Sequence, residues 1–480
     1  MSAKAVGRAL EQSQRVALLR LLSNIPVDAD ADDQILRTFL PGPQHQRALD
    51  QKVLVIRGER GAGKTALFEL LHALARKQIP VSEIVSGAPN GLRVDGFAEK
   101  GTAHPPAPVV EQLCATARTE DLRAFWLGHL VGRLRAENVV ERPLPSAFAS
   151  AYEGHSTDPA AWLGVARDSL PDLYRWMDDV EHELTTTCFV VYDHLDRIGT
   201  TDRNIREKTS ASLLAMWLSL SQRYERIRGK VLLREDLFQA TLTSFADATK
   251  LEARSVRLDW NAGRLFALLV RRLSDHEELR NWLKDVAGME FRKHKYLGFL
   301  PLEPELDDRA QRDFAKALVG RYMGAGPTKG FSHTWLINHL QDAHLHVMPR
   351  SLLVLIRGAA DLAVNMGPKA VWRRLLAPQE LQQSLEVASK RRVAEIQEDY
   401  PVVQRLEGLR GKILFFTRRE VVRALESHPT QDGFENDLDG AFDELVRIGV
   451  LADRGDRIDV PDVYRYGFGI KRKGGTRRVG

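Results

Sequence analysis

One eight-residue string constrains this chain more than any other feature. Residues 58–65 read Gly58-Glu59-Arg60-Gly61-Ala62-Gly63-Lys64-Thr65 and satisfy G-x-x-x-x-G-K-[ST]. The glycines permit positive φ and bring several backbone N–H groups onto one anion. Lys64 supplies a cation for the β- and γ-phosphates of a nucleotide, and the Thr65 hydroxyl suits Mg2+. The flanks agree. Val53-Leu54-Val55-Ile56 is apolar without alternation, as expected of a strand buried on both faces of a parallel sheet. Leu67, Leu70, Leu71 and Leu74 follow at helical spacing. The helix after the loop therefore packs one face on that sheet and turns its positive dipole end to the phosphates. Gly58, Gly61, Ala62, Gly63, Lys64, Thr65 and Ala66 are the candidate nucleotide-binding residues.

Further strands follow. Phe189-Val190-Val191-Tyr192 ends in Asp193, Val231-Leu232-Leu233 ends in Arg234, and a short apolar run surrounds Val256 and Leu258. Strands separated by helical segments predict a parallel α/β sheet. In such sheets the strand C-termini line the ligand crevice. Asp193 is thus the candidate Mg2+-associated carboxylate, on a strand neighbouring the loop. Arg234 is a candidate γ-phosphate sensor; the alternative is a surface arginine paired with Glu235 or Asp236. His194 stands directly after Asp193, where many hydrolytic ATPases place a second acid. Either Asp196 or His194 could orient the attacking water, and slow, switch-like hydrolysis is expected. The other reading of Asp196 is an acid complementing the dipole of the next helix. Arg350 follows Pro349 at the start of a helix through Leu352, Leu353, Leu355 and Ile356. A basic residue there opposes the dipole unless it faces an anion, which makes Arg350 a second candidate sensor. Arg197 is a candidate arginine finger.

The 480 residues suffice for about three domains. Apolar residues make up 44% and charged residues 28%, which excludes disorder, collagen-like structure and coiled-coil rods as descriptions of the whole chain. Apolar runs such as Leu352–Ile356 fall far short of the roughly 18 residues of a membrane span, and the N-terminus lacks a signal peptide's apolar stretch. Two cysteines, Cys114 and Cys188, cannot build a disulfide framework, so a reduced, cytosolic protein is expected. The divisions expected are 1–35 as an N-terminal helix and linker, 36–260 as the P-loop core, 261–400 as a helical lid, 401–470 as a winged helix and 471–480 as a basic tail. The Gly- and Pro-rich stretch from Ser86 to Pro108 reads as an irregular insertion, and Trp260 to Pro401 as mostly helical. His333, His339, His344 and His346 lie close in sequence and read as ordinary polar positions rather than a metal site.

Net charge is +5, and the last ten residues carry five cations and no acid. Polyanion binding should therefore depend on the tail. The winged-helix reading takes Val402 to Leu414 as a first helix and Thr417 with Glu420 as a capping box for a second. Asn436 would cap a third, Gly449-Val450-Leu451 would leave it as a strand, and Arg454-Gly455-Asp456 would turn the chain back. Candidate nucleic-acid contacts are Arg454, Arg457, Lys471, Arg472, Lys473, Arg477 and Arg478. Asp437, Asp439, Asp443 and Glu444 on the third helix disfavour groove reading by that helix, and favour a lid or an oligomer interface.

Taken together, GERGAGKT, FVVYDHLDR, KVLLREDLF and MPRSLLVLIRGAADLA resemble the bacterial P-loop ATPases related to the KAP and STAND groups, which are AAA+-like and often lie near mobile elements and anti-phage defence genes. The resemblance covers roughly residues 36–480. It implies an ATP-driven homo-oligomeric switch that regulates or assembles a partner effector, with ATP and Mg2+ as ligands. It carries over Lys64 and Thr65 as nucleotide and Mg2+ contacts, Asp193 as the Walker B acid, and Arg234 and Arg350 as sensors. The candidate catalytic set is Lys64, Asp193, Asp196 and Arg234. The departure is His194, where KAP-type sequences usually carry a second Asp. Two other functions fit the same motifs: a DNA-loading ATPase using the winged helix and tail, and a scaffold that binds ATP without hydrolysing it.

Overall fold

The unalternating apolar run around Val55 lies inside a sheet, with Val55 and Ile56 wholly buried. The computed structural model describes residues 10–29, 34–99, 101–200, 202–365 and 374–472. These fall into two units, one from Met1–Leu40, Arg60–Ala62 and Asp259–Gly480, the other from Pro41–Glu59 and Gly63–Leu258. The second unit holds five strands: β1 (Val55–Gly58), β2 (Leu92–Phe97), β3 (Cys188–Tyr192), β4 (Ile227–Arg234) and β5 (Ser255–Arg257). Their order is β2-β3-β4-β1-β5, and every pairing is parallel. The fold is the expected α/β class, a P-loop core on a parallel sheet. Asp193 follows β3, which is not the strand beside β1; β4 lies between them, and Arg234 pairs with Gly58.

Pleating sends successive side chains to opposite faces. On one face, Tyr192 lies edge-on to Trp126 of a helix at Thr119–Ala136 and to Trp217 of a helix at Arg203–Arg223. Gly229, paired with Val190, admits the Trp217 ring; a Cβ there would come within 2.4 Å of it. The opposite face is covered by α1 (Lys64–Arg76), which buries Leu67, Leu70, Leu71 and Leu74 as their spacing predicts.

The Ser86–Pro108 stretch is not merely an irregular insertion, because the edge strand β2 runs through it. Gly91 and Gly96 in it mark close approach rather than looseness. A Cβ on Gly96 would come within 2.4 Å of the Tyr192 ring, and one on Gly91 within 2.3 Å of the Thr187 carbonyl oxygen. Just beyond the strand, His104 Nδ1 meets His129 Nε2 at 3.2 Å, with both rings buried against Phe97 and Phe125. Burial first, then the nearby Arg133 cation, pushes His104 down to about 4. Burial and the charges of His104 and Arg133 push His129 well down too. The unfolded chain therefore takes up these protons before the folded one does. Stability from the neutral pair is full above about pH 6.5 and drains as pH falls toward 4, by on the order of 3 kcal/mol for His104 alone. Urea melts at pH 7 and pH 4.5 should show this loss in the wild type and a smaller one in His104→Gln. Equal losses would mean that the pair does not drive acid sensitivity.

In the first unit, one apolar core extends from Leu18 to Ile470. The N-terminal helix, Gln12–Ser23, packs on α2 (Pro349–Asn365), and α2 packs on α3 (Pro378–Asp399). Among the described residues, 260–401 are mostly helical, as expected, with one exception. An antiparallel hairpin, β6 (Phe291–His294) and β7 (Gly298–Pro301), turns where Gly298 takes a φ of 78°. Arg271, fully buried, donates to the carbonyls of Leu36, Phe39, Leu297 and Phe299, which ties the hairpin to the N-terminal segment.

Toward the C-terminus, residues Pro401–Leu409 form 3-10 turns rather than an α-helix reaching Leu414. Thr417 and Glu420 make the expected capping box on α4 (Arg418–Glu426). The next helix, α5 (Leu438–Arg447), is capped by Asp437 and not Asn436; the Asp437 carboxylate accepts from Gly440 N. Gly449, at φ 75°, ends that stretch, so the strand begins later than expected, at Ala452–Asp453, and pairs antiparallel with Ile458–Asp459. The histidines near Arg350 serve structure. His339 Nδ1 lies 2.9 Å from Trp335 O, His344 Nε2 lies 3.0 Å from Arg447 O, and His346 lies beside Asp342.

Candidate nucleotide site

Gly61 and Gly63 adopt φ of 85° and 101°, the left-handed conformations that the loop demands of glycine. Gly63 is the N-cap of α1, so Lys64, Thr65 and Ala66 form its first turn, with N–H groups free of intrahelical partners. Lys64 Nζ turns back over the loop and donates to the carbonyls of Gly58 at 2.7 Å and Glu59 at 3.0 Å. Burial lowers its pKa, while Asp196, Asp193 and Glu59 act in the opposite direction.

Asp193 follows β3 and is only 4% exposed; its N–H donates to Phe97 O. Its Oδ2 is buried and accepts no hydrogen bond. Burial raises its pKa and so does Asp196, whereas His194 and Lys64 act to lower it. An orphaned buried carboxylate oxygen is costly for the fold, and it suits a hydrated divalent cation. His194 holds a left-handed φ of 60° and turns its ring edge-on to Phe68 of α1. A non-glycine residue in that region marks local strain of the kind concentrated at functional sites.

Asp196 lies in a 3-10 turn at Leu195–Arg197, within electrostatic reach of Lys64 and Asp193. It does not serve the next helix, whose N-cap is Asp202, accepting from the N–H groups of Asn204 and Ile205. Arg234 is buried, not a surface residue. Asp236 holds it through two hydrogen bonds, Nε–Oδ1 at 2.9 Å and Nη2–Oδ2 at 2.6 Å, and its Nη1 lies 3.7 Å from Asp196 Oδ2. Glu235 pairs instead with Arg57 of β1. The second unit thus brings together Lys64, Asp193, Asp196 and Arg234. Arg197 stands apart, half exposed and 3.4 Å from Glu99.

Two of these features carried no periodic signal in the sequence. Asp236 as the clamp on Arg234 was one of two equal candidates. The left-handed turn at His194 had no glycine to announce it.

Arg350 belongs to the first unit, as does the loop tip Arg60–Ala62. Its Cβ lies 3.1 Å from where a Cβ on Gly61 would stand, and its guanidinium pairs with Asp28 at 3.0 Å and Glu395 at 3.2 Å. Arg60 pairs with Glu398 and with Asp399, at 3.0 Å for the latter, and Ala62 O accepts from Trp260 Nε1 at 2.8 Å.

Of the expected nucleic-acid contacts, Arg454, Arg457 and Lys471 are exposed. Arg472 is not a free tail cation, since it pairs with Asp459 at 2.8 Å and is largely covered. Lys473, Arg477 and Arg478 lie outside the described residues. Asp439 and Asp443 on α5 both pair with Arg418. No helix among the described residues is long and apolar enough to cross a membrane.

No protein-family profile and no curated protein matches the chain. Solved structures similar to it include the Walker-type ATPase paby2304 of Pyrococcus abyssi, at 13% identity and TM-score 0.41, covering 93% of this chain and 99% of that one. The ORC2 protein of Aeropyrum pernix, in ADPNP–ADP complexes, is similar at 11% identity and TM-score 0.38, covering 97% and 93%. The ORC1 protein of the same organism, in complex with DNA, is similar at 14% and 0.33, with the same coverage. The chain's own strand order and loop conformation define a P-loop α/β fold.

Proposed function

We propose that this chain binds Mg-ATP and hydrolyses it slowly, as an oligomeric switch that regulates or assembles a partner effector. The observation that carries this reading is the meeting of Lys64 with Asp193, whose buried Oδ2 accepts no hydrogen bond, beside Asp196 and Arg234. Lys64 and the first turn of α1 would hold the phosphates, and Thr65 and Asp193 would hold Mg2+, which supplies charge neutralisation at the transferring phosphoryl group. Asp196 is the group best situated to orient water, in the absence of an acid at position 194. Arg234, fixed by Asp236, would meet charge that develops on the γ-phosphate. Arg350, paired with Asp28 and Glu395 in the first unit, is proposed as the second sensor. The KAP and STAND resemblance supports a place in bacterial anti-phage defence.

A second reading, duplex DNA as the partner, is favoured by one feature outside the tail. Arg292 and Lys293 stand exposed on the β6–β7 hairpin, with no acid from residue 291 to 302. Phosphate release with and without duplex DNA, paired with solution mass with and without ATP, separates the two. Mass growth on ATP without DNA stimulation supports the switch. Salt-sensitive DNA stimulation lost in Arg292→Ala/Lys293→Ala supports the second reading. Failure to bind ATP overturns both.

A further inference from the structure

Two carbonyls at the tip of the phosphate loop are held by side chains of the first unit, to which Arg60–Ala62 belong. Trp260, just before the helix at Ala262–Leu273, donates from Nε1 to Ala62 O at 2.8 Å. Arg392 of α3 donates from Nη1 to Arg60 O at 3.3 Å. Neither donor is loose. The Trp260 ring packs against the apolar core of that unit. Arg392 is buried, with its guanidinium 6.0 Å from the centre of the Tyr464 ring.

Both contacts act on the far side of a peptide. In a trans peptide the carbonyl of one residue and the N–H of the next point in opposite directions. Holding Arg60 O and Ala62 O therefore fixes the directions of Gly61 N–H and Gly63 N–H. Among the described residues, neither N–H has a backbone acceptor. Glycine follows each of these carbonyls, at φ of 85° and 101°, and glycine lets the peptide before it rotate in either sense. The loop's own residues thus leave the direction open, and the tethered carbonyls decide it. The two preceding peptides are set the other way, since Gly58 O and Glu59 O turn to Lys64 Nζ. The distinction matters to an anion, which N–H groups attract and a carbonyl oxygen repels.

We propose that Trp260 is a positioning residue for the nucleotide, with Arg392 as its second: by tethering Ala62 O and Arg60 O, they present Gly63 N–H and Gly61 N–H to the phosphates. This role presupposes the nucleotide reading of the loop. It places outside the motif a residue that touches the loop's outer carbonyl and never the ligand. Backbone N–H groups of such a loop cradle phosphates that ADP and ATP share. The tether therefore acts on binding and not on the chemical step.

Steady-state ATP hydrolysis and calorimetric titration with Mg-ADP, on the full chain and on Trp260→Phe, test it. The substitution keeps an aromatic ring and removes the donor. The KM for ATP and the Kd for Mg-ADP should each rise about tenfold, the worth of one well-placed hydrogen bond to a charged group, while kcat changes less than about twofold. A tryptophan retained for packing alone would instead lower the active fraction, and so kcat, at unchanged KM and Kd. Arg392→Met removes the other donor and should raise the same two constants about threefold. It carries the test if Trp260→Phe does not fold. Unchanged KM and Kd in whichever variant folds overturn the proposal. A wild-type chain that binds no Mg-ADP overturns the nucleotide reading, and the positioning role falls with it.

Discussion

Replacing Lys64 with alanine is expected to weaken Mg-ATP binding by on the order of 100-fold and to bring phosphate release to background. The ammonium is held over the loop by two carbonyls, Gly58 O and Glu59 O, with three carboxylates acting on it. It is therefore oriented before any nucleotide arrives and needs only to exchange partners. Each charge-assisted bond to a phosphate oxygen contributes about 1.5–3 kcal/mol, and Lys64 is placed for bonds to two phosphates. Removing it also leaves Arg234, 3.7 Å from Asp196, as the cation that offsets Asp193 and Asp196 where the polyanion would sit. Isothermal titration with Mg-ATP reads the affinity, and far-UV circular dichroism checks that the variant folds. A folded Lys64→Ala protein that hydrolyses ATP at the wild-type rate would place the active centre elsewhere.

Legibility in the sequence followed the length and chemistry of each signal. β1, β3 and β4 were visible because central parallel strands are apolar on both faces, and α1 because four leucines share one stripe. β2 was hidden because an edge strand packed against large rings needs glycine where a strand usually carries a branched residue. Gly91 and Gly96 therefore imitate a loop. The β6–β7 hairpin was hidden for another reason. Its strands carry Arg292 and Lys293 outward and are too short for two-residue alternation to stand out. The cap of α5 shifted by one because Asn436 and Asp437 are equally good acceptors, and only the backbone decides between them.

For the candidate site, motif and position were legible while partners were not. The end of an apolar strand suffices to locate Asp193 and Arg234. Nothing in the string reveals that β4 intervenes between β1 and β3, or that Asp236 rather than Glu235 clamps Arg234. The first fact is set by strand order and the second by the direction each side chain takes as the chain leaves β4, where one residue's difference reverses the face. Arg472 shows the same limit in reverse. Within a basic run it resembles its neighbours, yet pairing with buried Asp459 takes it out of any polyanion surface.

Asp193→Ala is expected to lower Mg2+-dependent turnover by on the order of 10³-fold while the folded protein becomes no less stable. A carboxylate retained for structure pairs with donors, and its loss leaves them stranded. Asp193 is 4% exposed, its Oδ2 accepts no hydrogen bond and has His194 Nδ1 at 3.7 Å, and burial outweighs His194 in raising its pKa. Such a group opposes folding, so alanine removes a penalty along with a function. Phosphate-release assays across a Mg2+ titration and thermal melts without nucleotide measure the two effects separately. Nucleotide affinity in the absence of Mg2+ should stay close to that of the wild type, since Lys64 and the first turn of α1 are untouched. A variant that loses stability but keeps its Mg2+-dependent rate would make Asp193 a structural acid, and the metal would then need another ligand near the loop.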